Sequence, residues 1–164
     1  MLVLGIDPGT AICGYGFVET DGVNLTAREY DAILTDSKMR QEDRLVKIFD
    51  SLDALIKKNH PDVLGVEKLF FYNNISTAIP VGQARGVILL AAAKNQLEIV
   101  ELSPPEVKQS VTGYGKATKD QVIFMVTKLL KLNEPPNPDD VADALAIAIG
   151  TIHRISSPVH RNRY

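Results

Sequence analysis

The sequence predicts an α/β domain, a mixed five-stranded sheet flanked by helices. Three observations carry this expectation. Short continuous apolar runs at 2–6 and 63–66 have the look of strands buried on both faces. Two further strand-like segments follow the first, with turn residues at Asp7-Pro8-Gly9-Thr10 and Asp21-Gly22 between them, which predicts an antiparallel meander. Beyond residue 40 the apolar spacing changes to three and four, and helical and strand patterns then alternate.

The elements follow in order. Leu2-Val3-Leu4-Gly5-Ile6 is the first strand, and the turn residues Asp7-Pro8-Gly9-Thr10 stop it. Tyr15–Thr20 and Ala27–Thr35 are the next two, broken by Asp21-Gly22. Leu45, Ile48, Leu52, Leu55 and Ile56 mark an amphipathic helix, with Pro61 just past its end. Val63–Val66 is a strand that Glu67 ends. Residues 76–95 read as a helix with Pro80 near its first turns. Its second half, Val87 to Ala93, is apolar nearly all round, so it is buried on more than one side, either as a core helix or against a partner subunit. Leu97–Leu102 is the fifth strand. Ser103-Pro104-Pro105-Glu106 and Thr118-Lys119-Asp120-Gln121 are capping boxes that open two helices, joined by the Gly113-Tyr114-Gly115-Lys116 loop. After Pro135, Pro136 and Pro138, Asp139 is the expected N-cap of a last helix from Asp140 to about Ile152. The domain is expected to span 1–155, with a basic tail at 156–164.

Length and composition fit a single globular domain. The chain has 164 residues, 45% hydrophobic and 23% charged. No apolar run is long enough to span a membrane. The absence of a basic leader and the single cysteine, Cys13, predict a reducing cytoplasmic setting. Cys13 is expected to be a small buried residue. The net charge of −2 is unusual for a nucleic-acid binder, but its distribution is uneven. Lys108, Lys116, Lys119, Lys128 and Lys131 outnumber Glu106 and Asp120 between 103 and 131, and the tail from His153 adds Arg154, Arg161 and Arg163 without an acid.

Four acids stand out: Asp7, Glu67, Asp140 and Asp143. Asp7 and Glu67 each end a buried-type strand, and so face one rim of the sheet, where ligands of such sheets bind. Asp140 and Asp143 are three apart, on one face of a helix. Taken singly, the helix pair could complement the helix dipole and Asp7 could form an Asx-turn. Glu67 has no such role, lying between an apolar strand and Leu69-Phe70-Phe71-Tyr72. Carboxylates gathered together repel unless a divalent cation neutralises them, and Mg²⁺ prefers hard oxygen ligands. Four suffice for two ions and in-line displacement at a phosphate. Lys119 sits in a helix's first turn, against the dipole, and Lys108 in the helix before it; both are candidates to hold a phosphate. The aromatic run at 70–72 could stack on an unpaired base, and Tyr114 is a further candidate.

Gly5-Ile6-Asp7-Pro8-Gly9-Thr10, Val66-Glu67, Gly82-Gln83-Ala84-Arg85-Gly86, Val107-Lys108-Gln109 and Asp140-Val141-Ala142-Asp143-Ala144-Leu145, in that order, resemble the RuvC family of bacterial Holliday-junction resolvases. The resemblance runs from Leu2 to about His153. It implies a ribonuclease-H-like fold, a homodimer, and Mg²⁺-dependent endonuclease activity on four-way DNA junctions in recombination and repair. Two Mg²⁺ ions per site are implied, with Mn²⁺ able to substitute. Asp7, Glu67, Asp140 and Asp143 match the family's acidic tetrad, and the D-x-x-D-A-L segment selects Asp140 over Asp139. Lys108 and Lys119 match its active-site lysines and Phe70 its junction-stacking aromatic; Lys116 is a further DNA-binding candidate. A RuvA–RuvB branch-migration partner is implied as well. Two-fold junction symmetry suits an isologous dimer, with the apolar helix after Pro80 as its interface.

Other readings predict different behaviour. An actin-like phosphotransferase shares the first glycine motif but needs a second lobe and a different closing helix. Another ribonuclease-H-like nuclease would cut RNA–DNA hybrids or flaps. A binding module without chemistry is at odds with four intact acids.

Overall fold

The computed structural model describes residues 1–69 and 75–157. Strands β1 (Leu2–Asp7), β2 (Ile12–Thr20) and β3 (Leu25–Leu34) form the expected antiparallel meander. Helix α1 (Gln41–Asn59) leads to β4 (Val63–Glu67), and α2 (Ile75–Lys94) leads to β5 (Glu98–Leu102). These two strands add in parallel, so the sheet is mixed, in the order β3-β2-β1-β4-β5. Helices α3 (Pro104–Thr112), α4 (Lys119–Leu129) and α5 (Asp139–Ser156) follow.

Alternation along the strands sorts the core into two layers. Leu4, Ile6, Phe17, Leu64 and Val66 face α1 and α2. Val3, Val18, Val63 and Leu102 face α3, α4 and α5. By the same period of two, Asp7 follows Val3 and Gly5, and Glu67 follows Val63 and Gly65. Both acids therefore project on the α5 side.

A row of glycines brings α5 down onto the sheet. Gly5 pairs with Gly16 on β2 and with Gly65 on β4. A Cβ at Gly5 would run into the backbone oxygen of Ala144 and stand 2.6 Å from Ala148 N; one at Gly16 would stand 2.6 Å from Leu145 Cδ2. Gly14, opposite Asp7, lies just as close to the Asp140 carbonyl. With Ala144, Ala148 and Gly150 on its buried surface, α5 packs backbone against backbone, which sets the height of Asp140 and Asp143 above β1.

Some boundaries differ from expectation. β2 begins at Ile12 rather than Tyr15, because pairing continues through Asp7–Gly14 and Cys13–Ile33. α1 begins at Gln41, with Glu42 and Asp43 in its first turn and Arg40 bound to Asp43 at 2.8 Å. Asp139 is not the N-cap of α5: extended Pro138 holds that position, and Asp139 is the first helical residue, its carboxylate engaged elsewhere. Both capping boxes form as read, with Glu106 accepting from Ser103 N at 2.7 Å and Gln121 Oε1 from Thr118 N at 2.9 Å. Cys13 is fully buried, and burial pushes its thiol up to about 12. Among the described side chains, α2 within one chain buries one face, through Ala84, Ile88, Ala91 and Ala92, while Leu90 is 53% and Ile79 63% exposed.

Candidate active site

The parallel register of β1 and β4 pairs Ile6 with Val66, so Asp7 and Glu67 come next at adjacent strand ends. Above them lies α5, one turn into its length at Asp143. α3 and α4 close the cleft from the side. The result is a cleft of about 220 Å³ lined by Asp7, Glu67, Asp143, Lys108 and Lys119, with Val107 and Val122 among its apolar walls. Five of the six residues expected to carry the chemistry thus converge. Asp140, the sixth, does not line the cleft, but it is near enough to act electrostatically on Asp7. Lys116 is exposed on the α3–α4 loop, outside the cleft. Phe70, Phe71 and Tyr72 lie outside the described residues, as does the basic tail from residue 158 on.

The carboxylates strain against one another. Burial, then the charges of Asp143, Asp140 and Glu67, push Asp7 up to about 7, with Lys119 opposing. Glu67 is raised by burial and by Asp143, and Lys108 offsets part of that. Burial raises Asp143 too, against its contact with Lys119. Lys119 reaches Asp139 Oδ2 at 2.5 Å and Asp143 Oδ2 at 3.0 Å. Burial disfavours its charge, but these two carboxylates outweigh burial and raise its pKa.

This has a consequence for stability without divalent cation. An unfolded Asp7 titrates at the ordinary 3.8, the folded one at about 7. Between those values the folded state holds the extra proton, so stability from this group is present at low pH and lost as pH rises through about 7. Asp7→Asn removes the penalty. In urea unfolding the variant is expected to exceed the wild type by on the order of 1–3 kcal/mol at pH 8, with the gap narrowing below about pH 7 and closing near pH 4.

Two residues escaped the sequence reading. Asp139 anchors Lys119, and its signal was the Asp139-Asp140 doublet. Arg85 donates from Nε to the Glu67 carbonyl at 3.3 Å and pairs with Glu101 at 2.5 Å. It ties α2 to the strand end that carries Glu67, and its signal was the Gly82–Gly86 motif, which had no assigned role.

A Mg²⁺-type ion suits this donor set. The facing side chains are hard carboxylate oxygens, and Asp7 is raised first by burial and then by three neighbouring carboxylates that Lys119 offsets only in part. Among the described residues no three acids or histidines enclose a cation as they stand. Asp143 is engaged by Lys119, so a cation binding there competes with that ammonium.

Comparison with known proteins bears on this cleft. The model of the family described as crossover junction endodeoxyribonuclease RuvC matches residues 3–151. A protein of that description from Heliobacterium modesticaldum is 54% identical over 156 residues, 95% of this chain and 96% of the relative. One from Ruminiclostridium cellulolyticum is 48% identical over the full length of both. Among solved structures, Thermus thermophilus RuvC in complex with a Holliday junction substrate superposes with a TM-score of 0.90 at 32% identity, over 95% of each chain. The yeast mitochondrial resolvase Ydc2 shares the fold at a TM-score of 0.68 and 18% identity. The ribonuclease-H-like architecture expected from the resemblance is the one observed. With the model matched from residue 3 to residue 151, this chain belongs to the RuvC family of crossover junction endodeoxyribonucleases.

Proposed function

We propose that the chain is a structure-selective endodeoxyribonuclease that resolves four-way DNA junctions by paired, symmetric nicks, in recombination and repair in the cytoplasm. One observation carries the reading: in a chain of this family, three acids and two lysines from five separate elements meet in one cleft at the sheet rim. Asp7, Glu67, Asp140 and Asp143 are assigned as ligands of Mg²⁺. Two ions, when bound, would supply a water activated for in-line attack and a stabilised leaving oxygen, and Mn²⁺ could serve in their place.

The protein's own contribution is placement and charge. Asp7, on which the charges of Asp143, Asp140 and Glu67 all act, would hold the metal together with them. Glu67 holds one side from β4, fixed at its backbone by Arg85. Lys119 keeps its anchor on Asp139 when Asp143 is claimed by a cation, so its ammonium stays at the cleft for the phosphate. Lys108 supplies a second positive charge beside Glu67. Lys116, exposed outside the cleft, is assigned to a phosphate of a neighbouring nucleotide. Phe70 is assigned the junction-stacking role on family grounds alone, as is the RuvA–RuvB partner.

A homodimer would set two such clefts in the two-fold relation of the junction. The exposed apolar face of α2 is the interface candidate: Leu90 faces solvent in one chain, whereas Leu89 packs against the core. Leu90→Glu is expected to yield a folded monomer by light scattering, with little loss of thermal stability within the chain. A fully dimeric variant would move the interface off this helix.

Substrate selectivity tests the reading. A labelled four-way junction should be displaced at least about tenfold more weakly by a linear duplex or an RNA–DNA hybrid than by unlabelled junction, with affinity falling as salt rises. Equal competition by the hybrid would favour a different ribonuclease-H-like nuclease.

A further inference from the structure

Helix α4 has two faces towards solvent, and the cutting chemistry uses only one. Lys119 and Val122 line the acidic cleft. One face further round, Asp120, Gln121, Phe124 and Met125 line a separate groove of about 390 Å³, shared with Tyr114 from the α3–α4 loop. Both rings are in water: Tyr114 is 59% and Phe124 58% exposed. Lys128 Nζ lies 5.6 Å from the centre of the Phe124 ring, and Lys116 is exposed on the same loop as Tyr114. Gln121 Oε1 accepts from Thr118 N, which fixes the amide at the groove rim beside Asp120.

Exposed aromatic faces flanked by ammonium groups suit an unpaired nucleotide. Stacking tolerates any base, and lysines take the adjoining phosphates. Around the groove itself Lys116 and Lys128 stand against the single acid Asp120, a balance that favours a polyanion over an acidic peptide. Distance fits as well. The cleft and the groove lie on neighbouring faces of one helix about 10 Å across, which three stacked nucleotides span at about 3.4 Å each.

We propose that the Tyr114–Phe124 groove is a nucleotide subsite that stacks an unpaired base of the junction strand, two or three positions from the phosphate held in the acidic cleft. The subsite rests on the nuclease reading of that cleft and is separate from the aromatic run at 70–72. It assigns Tyr114 and Phe124 as the stacking pair and Lys116 and Lys128 as its phosphate contacts.

The test begins by mapping the nicked phosphate with the wild-type protein and Mg²⁺. 5-Iododeoxyuridine is then placed singly at each of the nearest positions on either side, and the junction is irradiated with full-length protein without added divalent cation. The expected crosslink joins one or two positions, on one side of the nick, to the peptide carrying Tyr114 or Phe124. In parallel, Tyr114→Ala and Phe124→Ala should each weaken junction binding by about fivefold to a hundredfold without changing its salt dependence. Phe124→Tyr should bind as the wild type does. Crosslinks confined to other peptides, or folded alanine variants that bind like the wild type, would overturn the subsite. A wild-type protein that nicks the junction but never crosslinks through this groove removes the subsite and leaves the nuclease reading standing. One that binds no junction removes both.

Discussion

Asp7→Asn is expected to abolish junction cutting, by about a thousandfold or more, with junction affinity staying within a few-fold of the wild type. The expectation follows from where Asp7 sits. It ends the central strand of the sheet, faces Glu67 and Asp143 across one cleft, and carries the raised pKa of a carboxylate crowded by three others. A neutral amide of the same shape relieves the crowding but lacks the anionic oxygen that a hard divalent cation would take as a ligand. On the proposed reading, phosphate contacts come instead from Lys108, Lys119 and Lys116, which the substitution leaves in place. The same variant should be more stable than the wild type in metal-free buffer at pH 8, so lost cutting cannot be put down to lost folding. Gel-shift affinity, single-turnover cutting and urea unfolding on one preparation separate the three effects.

Gly5→Val is expected to cost at least about 3 kcal/mol, at the upper end of overpacking penalties. It should lower the thermal midpoint by roughly 6–12 °C, or prevent folding altogether. The added carbons meet backbone atoms of Ala144 and Ala148, which have no rotamer to change. α5 must lift from the sheet, and Val141, Leu145 and Ile149 would lose burial with it. Gly65→Ala is the milder comparison. Its Cβ meets the Thr151 hydroxyl, a side chain that can turn away at the cost of its 2.8 Å bond to the Ile147 carbonyl. A Gly5→Val protein with wild-type stability in calorimetry would show that α5 is not seated by the glycine row.

Much of this fold is legible in local pattern. The parity of the first and fourth strands already places Asp7 and Glu67 on one face, and the Ser103–Glu106 and Thr118–Gln121 boxes mark two helix starts within a residue. What escapes the reading is non-local. Gly5, Gly16 and Gly65 read singly as ordinary strand glycines; only the register across three strands turns them into a seat for α5. Asp139 looks like a cap because Asp before a helix commonly is one, yet Pro138 takes the cap and Lys119, 20 positions earlier in the chain, takes its carboxylate. Arg85 has no local signature for its contact with the Glu67 carbonyl. The second half of α2 reads as apolar all round, and one chain buries only half of it.

The most direct measurement incubates the purified protein with a synthetic four-way junction, with and without Mg²⁺, beside a linear duplex and the Asp7→Asn variant. Paired nicks at symmetric positions on opposing strands are expected only for wild-type protein, only with the cation and only in the junction. Equal cutting of the linear duplex, or cutting by Asp7→Asn at the wild-type rate, would contradict the assignment of the acidic cleft as a junction-resolving metal centre.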